Sequence, residues 1–351
     1  MNGRDYAALD EALVILERYG PEYGGGLANH GPMAVEALSA MGRPESVTSW
    51  VEEYRRSLRS RRKLGERIEG VRWRDALGDY SRVSDWGAFF EDELRDRSWR
   101  EELRLWLPRL APGIIAAATH GPIRVSHAAR ALEQEETDPR RRELAQALAY
   151  WAATYATLPE KASPLPGPRT KPSRALKSVP MLPRERRGSV RLISEGLDRL
   201  REFAPFAQTA ALADTDVDPG DFISDLTAAF ARVYLANAAD MLSTIVFVHS
   251  ITGPASLRLM LPYLAPDQTK EALRYAWQAA AALFSVYAAK PGVDGTVDAA
   301  GLTRASLIDE AVQSGDEHAI KLTEVCLREH ALNPRPEYLA AARHACSALR
   351  Q

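Results

Sequence analysis

Three times in this chain of 351 residues a histidine stands at or just before a Gly-Pro step that opens a run of small and apolar residues. The first is Asn29-His30-Gly31-Pro32-Met33-Ala34-Val35-Glu36-Ala37-Leu38. The second is Thr119-His120-Gly121-Pro122-Ile123-Arg124-Val125-Ser126-His127-Ala128-Ala129-Arg130-Ala131-Leu132, and a looser third is His249-Ser250-Ile251-Thr252-Gly253-Pro254-Ala255-Ser256-Leu257. Proline is favoured at the first helical position, where its missing N–H is no loss, so each Gly-Pro reads as a helix start. Each histidine is then held at a helix entrance, the kind of fixed position a metal ligand needs. For any one copy alone a plain helix-start turn with a hydrogen-bonded histidine is the better reading. The recurrence, and a fourth histidine at His318, set the metal reading level with it.

The rest of the chain carries helical periodicity almost throughout. Leu9, Leu13, Val14 and Leu16 recur at helical spacing and stop at Gly20-Pro21. Further helices are expected over 33–41, 44–58, 85–95, 99–118 (interrupted by Pro108 and Pro112) and 138–155. After a break they are expected over 189–203, 221–249, 254–264, 267–290, 303–314, 316–330 and 336–349. Almost nowhere does a period-2 apolar run appear between hairpin signals. The expected class is all-α, a single-domain array of many helices over 1–351 with a metal site between helices, as helical cores commonly build such sites. Seven prolines between Pro159 and Pro183 predict an extended surface connection at about 159–187. Histidines on both sides of it point to one shared site.

Composition excludes little beyond the extremes. A net charge of -2 gives no reason to expect nucleic acid or an anionic membrane as partner. The two cysteines, Cys326 and Cys346, lack metal-ligand spacing and suit a reducing compartment. The N-terminal residues lack a signal-peptide pattern, and the apolar run near Ile245–Val248 reads as too short to cross a bilayer, so a soluble cytoplasmic protein is expected. Gly24-Gly25-Gly26 fails the dinucleotide fingerprint; its expected purpose is to let the backbone reach Asn29-His30 at close quarters.

Among residues that could do chemistry, His249 follows Ile245 and Val246 by four and three positions and points inward. His318 and Lys321 are three apart on one helix and share a face. Lys321 borders the apolar residues Leu322 and Val325, where a lysine normally snorkels to water. Buried instead, its amine would lose basicity and could take up carbon dioxide as a carbamate, a carboxylate-like ligand. His127 lies two helical turns beyond His120 and could ligate or assist from behind a ligand. His330 and His344 read as surface residues, and scattered aromatics such as Trp106, Trp151 and Trp277 as core. Four imidazoles with at most one carboxylate-like oxygen suit zinc, copper or iron.

At these motifs the sequence resembles the questin oxidase-like family, known for fungal oxygenases that oxidise and open anthraquinone-type polyketides. The resemblance rests on Asn29–Met33 with Ala37-Leu38, Thr119–Pro122 with His127–Leu132, His249 with Thr252–Ala255, and His318-Ala319-Ile320-Lys321. It spans about residues 5 to 335 in the expected order. It implies a mononuclear non-haem iron held by four histidines and a carboxylated lysine, which here are His30, His120, His249, His318 and Lys321. His127 and Asn29 are then the catalytic candidates. The expected partners are a small aromatic substrate and dioxygen, with Fe2+ as cofactor and NADPH as a possible electron source. The competing expectations are a metal-free NADPH-dependent Baeyer–Villiger monooxygenase and, from another class, a non-catalytic helical binding protein.

Overall fold

The computed structural model describes residues 6–161 and 168–350. It is 69% helical, and its only named strands among the described residues are Glu22–Tyr23 and Leu27–Ala28, so the all-α class holds. The chain forms two compact units, one running through Ala156 and including Leu259–Leu264, the other made of Thr157–Arg258 and the chain from Ala265 onward.

In the first unit the helices Val83–Asp96 and His120–Gln134 pack against Asp138–Ala153, and Gly31–Ala40 packs against His120–Gln134. Trp86, Phe89, Phe90 and Trp106 form an aromatic cluster with ring centroids 4.8 to 5.8 Å apart, mostly edge to face, the arrangement ring quadrupoles favour. Trp106 and Trp151 are core residues as expected. Arg140 is fully buried and closes the end of the helix His120–Gln134. Its Nη1 donates to the carbonyls of Ala131 and Glu135, while its Nε reaches Asp10 at 2.7 Å. A helix end stripped of water needs such donors for its last carbonyls.

The three glycines make a hairpin turn. Gly24, Gly25 and Gly26 all have positive φ (51°, 80° and 93°), which only glycine adopts at low cost, and the ladder pairs Glu22 with Ala28 and Tyr23 with Leu27. The return strand leads directly into Asn29 and His30.

In the second unit the helix Pro219–Asn237 is flanked by Pro266–Tyr287 and Pro336–Ala348, and Glu317–Leu332 packs on Pro336–Ala348. A single helix was expected over 221–249, but the chain breaks after Asn237. The Asn237 side chain accepts from the N–H groups of Ala289 and Lys290 and donates to the carbonyls of Val233 and Lys290. Asp240 then caps a new helix, its carboxylate accepting from the Ser243 N–H at 2.8 Å.

That helix, Met241–Met260, corrects two expectations. It runs straight through Gly253-Pro254, so the third Gly-Pro step lies inside a helix instead of opening one. The apolar element is also longer than the Ile245–Val248 run. Met241–Tyr263 is long and apolar enough to cross a membrane, with mean hydropathy 1.3, and 78% of its apolar window is buried within the fold.

Of the proline-rich stretch, 162–167 lie outside the described residues. From Pro168 on, short helical pieces stand where an extended run was expected: Pro172–Ala175, continuing as the 3-10 turn Leu176–Ser178, and Arg184–Arg187. Proline at a helix start explains the first of them. Thr170 bridges to Ala213, and the Leu182 N–H donates to the Ser285 carbonyl at 2.9 Å.

Candidate metal centre

His30 caps the helix Gly31–Ala40, and its position is set from both sides. The Asn29 amide donates to the Gly20 carbonyl at 2.9 Å and accepts from the Gly31 N–H at 3.0 Å. The His30 N–H donates to the Tyr54 hydroxyl at 2.8 Å. Both ends of the Asn29 side chain are thus engaged with backbone, which gives it a positioning task.

His120 is the first residue of the helix His120–Gln134. Before it come Ala117, Ala118 and Thr119, all left-handed, with φ of 47°, 55° and 73°. For non-glycine residues this costs roughly 1–2 kcal/mol each. The turn brings the Ala117 carbonyl onto the imidazole, where it accepts from Nδ1. That bond fixes the tautomer and leaves Nε2 as the lone-pair nitrogen.

The Nε2 atoms of His30 and His120 are 2.7 Å apart, with the rings stacked 4.6 Å between centroids and 14° from parallel. At that separation the two nitrogens share a proton. Two imidazoles on one tetrahedral ion at about 2.0–2.1 Å would stand roughly 3.3 Å apart, so a small opening of the pair suffices to replace the proton with a cation.

Glycine in both motifs has a steric cause. A Cβ on Gly121 would lie 2.7 Å from Cγ of the buried Trp151, and one on Gly31 would lie 2.7 Å from a methyl of Leu16.

Two turns along the same helix, the His127 Nδ1 lies 2.6 Å from Glu36 Oε2. Arg130 donates to both oxygens of Glu36, through Nε at 2.8 Å and through Nη2, and the Tyr6 hydroxyl adds a bond at 3.2 Å. Burial pushes the Glu36 carboxyl up, but the Arg130 charge and the bonds from His127 and Arg130 outweigh it and bring the pKa to about 2. Glu36 is a buried anion at every physiological pH. Sequence reasoning assigned no role to Glu36 or Arg130. The available signals were a lone acid in an otherwise apolar helix and an arginine three positions after His127.

The second unit holds its own pair. His249 sits mid-helix, with Nδ1 donating to the Ile245 carbonyl at 2.8 Å, which again leaves Nε2 as the lone-pair nitrogen. Its ring meets the His318 ring edge to face, 5.4 Å between centroids at 84°. His318 lies in the first turn of the helix Glu317–Leu332, whose cap Asp316 accepts from the His318 and Ala319 N–H groups at 2.8 and 3.1 Å. The His318 Nδ1 is 3.5 Å from Asp316 and 3.8 Å from Glu317, and the three side chains offer ligand atoms within 4.8 Å of one another. Lys321, one turn on, is 1% exposed and does not snorkel. Burial lowers its pKa to about 8, although Glu317 and Asp316 pull the other way. His330 and His344 are engaged elsewhere, on the Arg335 carbonyl and the Tyr234 hydroxyl.

Fold and side chains together define an all-helical protein that carries a buried imidazole pair in each of its two units. The model of the questin oxidase-like family matches residues 27–326, and the chain belongs to that family. The curated proteins contain no match to it.

Proposed function

We propose that the chain is an iron-dependent oxygenase that uses dioxygen to oxidise or open a ring of an aromatic, polyketide-type substrate. His30, His120, His249, His318 and a carboxylated Lys321 form the ligand set of a single ferrous ion. The observation that carries this reading is the treatment of the imidazoles. His120 and His249 each commit Nδ1 to a backbone carbonyl and so present Nε2. Lys321 is buried and weakly basic, the state in which an amine takes up carbon dioxide. Four nitrogens and one carboxylate-like oxygen suit divalent iron.

Bound iron supplies the one-electron redox chemistry that dioxygen requires. The chain's own groups do the rest. Glu36, fixed as an anion by Arg130, holds the His127 Nδ1 proton, so the basic nitrogen of His127 is Nε2. His127 takes the proton from a phenolic hydroxyl of the substrate and leaves an electron-rich ring. Asn29 keeps the His30 backbone in place. Ring opening that inserts both atoms of dioxygen needs no outside reductant. Insertion of one atom needs two electrons, from a reduced phenolic substrate or from NADPH.

The test is dioxygen uptake with a panel of hydroxylated anthraquinones, with and without a ferrous chelator. Uptake that depends on substrate, stops with chelator and returns with added Fe2+ is expected. Turnover that consumes NADPH and ignores the chelator would overturn the iron reading.

A further inference from the structure

Within the second unit a cleft of about 530 Å³ lies between the segment 168–180 and the 3-10 helix Ala204–Ala211. Its walls are pinned together at one end, where the Thr170 N–H donates to the Leu212 carbonyl at 3.1 Å and the Asp214 N–H to the Thr170 carbonyl at 2.8 Å. The volume falls in the range of small-molecule sites, about 300–1,000 Å³. None of the proposed iron ligands lines it.

Its polar groups are those of an anion site. Asp225 on the helix Pro219–Asn237 accepts from the Ser173 N–H at 2.7 Å and from its hydroxyl at 2.9 Å, and lies 3.5 Å from Lys171. Asp225 is thereby used, and Arg174, which follows Ser173, lines the cleft with no carboxylate partner among the described residues. Gln208 lines it from the opposite wall. Thr209, also in the lining, is 1% exposed, and its hydroxyl has no hydrogen-bond partner among the described residues. A buried hydroxyl left unmatched is unfavourable, and a ligand oxygen within hydrogen-bond reach would match it. Apart from Thr170 and Ser178 the rest of the lining is apolar, Pro180, Pro205 and Leu212 among it.

We infer that this cleft is a second, non-catalytic binding site for an aromatic carboxylic acid. The carboxylate pairs with the Arg174 guanidinium and takes bonds from Gln208 and Thr209, while the ring lies against the proline faces. A free inorganic anion would leave most of the volume and all of the apolar wall unused. The inference rests on no part of the oxygenase reading.

The test is calorimetric titration of the full-length protein with naphthoate, naphthamide and inorganic phosphate. Saturable one-to-one binding of naphthoate is expected, with naphthamide and phosphate at least about tenfold weaker, the scale of one charge-assisted pair. Arg174→Gln should weaken naphthoate about tenfold, Thr209→Val severalfold, and Leu212→Trp should fill the cleft and abolish binding, with circular dichroism unchanged in each. His120→Ala should leave naphthoate binding intact. Equal affinity for naphthamide or phosphate, or binding that survives both Arg174→Gln and Leu212→Trp, would overturn the inference. So would binding lost in His120→Ala alone.

Discussion

Glu36 shows how one residue can hold a site without touching its chemistry. Its charge is neutralised in place by Arg130 and shared with His127, so removal leaves a buried guanidinium without its acid. Breaking such a pair costs about 3–5 kcal/mol, and Glu36→Gln should lower stability to chemical denaturation by that amount. The pH dependence follows from the lowered pKa. The carboxylate's contribution is complete above the unfolded value near 4.5 and is lost as pH falls toward about 2. Wild type should therefore lose stability across that window, and Glu36→Gln should show a flatter profile; equal slopes would contradict the assignment. Lys321 is the opposite case, since burial penalises its ammonium form. In metal-free protein Lys321→Met should raise stability, on the order of 2–3 kcal/mol at neutral pH. In wild type supplied with isotopically labelled bicarbonate and Fe2+, a carbamate resonance is expected that the variant lacks. A destabilised variant would mean that the amine has a favourable partner in the fold.

At the scale of elements, the His-Gly-Pro motifs were legible as helix starts in two of three places, and the reasons differ locally. At Gly31 and Gly121 the missing Cβ makes room for a neighbouring side chain, and proline takes a position with no intrahelical bond to lose. Gly121→Ala should force the Trp151 ring away from a packed wall and cost about 1–3 kcal/mol; thermal denaturation reads this directly, and an unchanged midpoint would contradict it. At Pro254 the same dipeptide sits inside a helix, despite the bond and clearance it forfeits, about 3 kcal/mol in an isolated helix. The surrounding residues Val248, Ile251 and Ala255 are fully buried, so tertiary packing overrides the local preference. The break after Asn237 is also tertiary in origin, because the side chain that closes the helix is matched by the backbone of Ala289 and Lys290, some fifty positions on. The left-handed run Ala117–Thr119 left no trace in the sequence, since none of its residues is glycine. It stores strain directly beside a candidate ligand, where it serves to bring a carbonyl onto the imidazole.

At the scale of the whole molecule, the family and the all-helical class could be read from ordered motifs spread over most of the chain. The return of Leu259–Leu264 to the first unit could not, because no local signal marks it. Nor could the supporting network, since Glu36 meets His127 and Arg130 only after two helices have packed. Each unit holds two of the buried imidazoles, one of them with a carbonyl-fixed tautomer. Under the proposed function these four imidazoles bind one ion. Element-resolved analysis of iron per chain, in wild type, His120→Ala and His318→Ala purified without chelator, tests it most directly. One iron in wild type and its loss in both variants is the predicted result; full occupancy in either variant would contradict it.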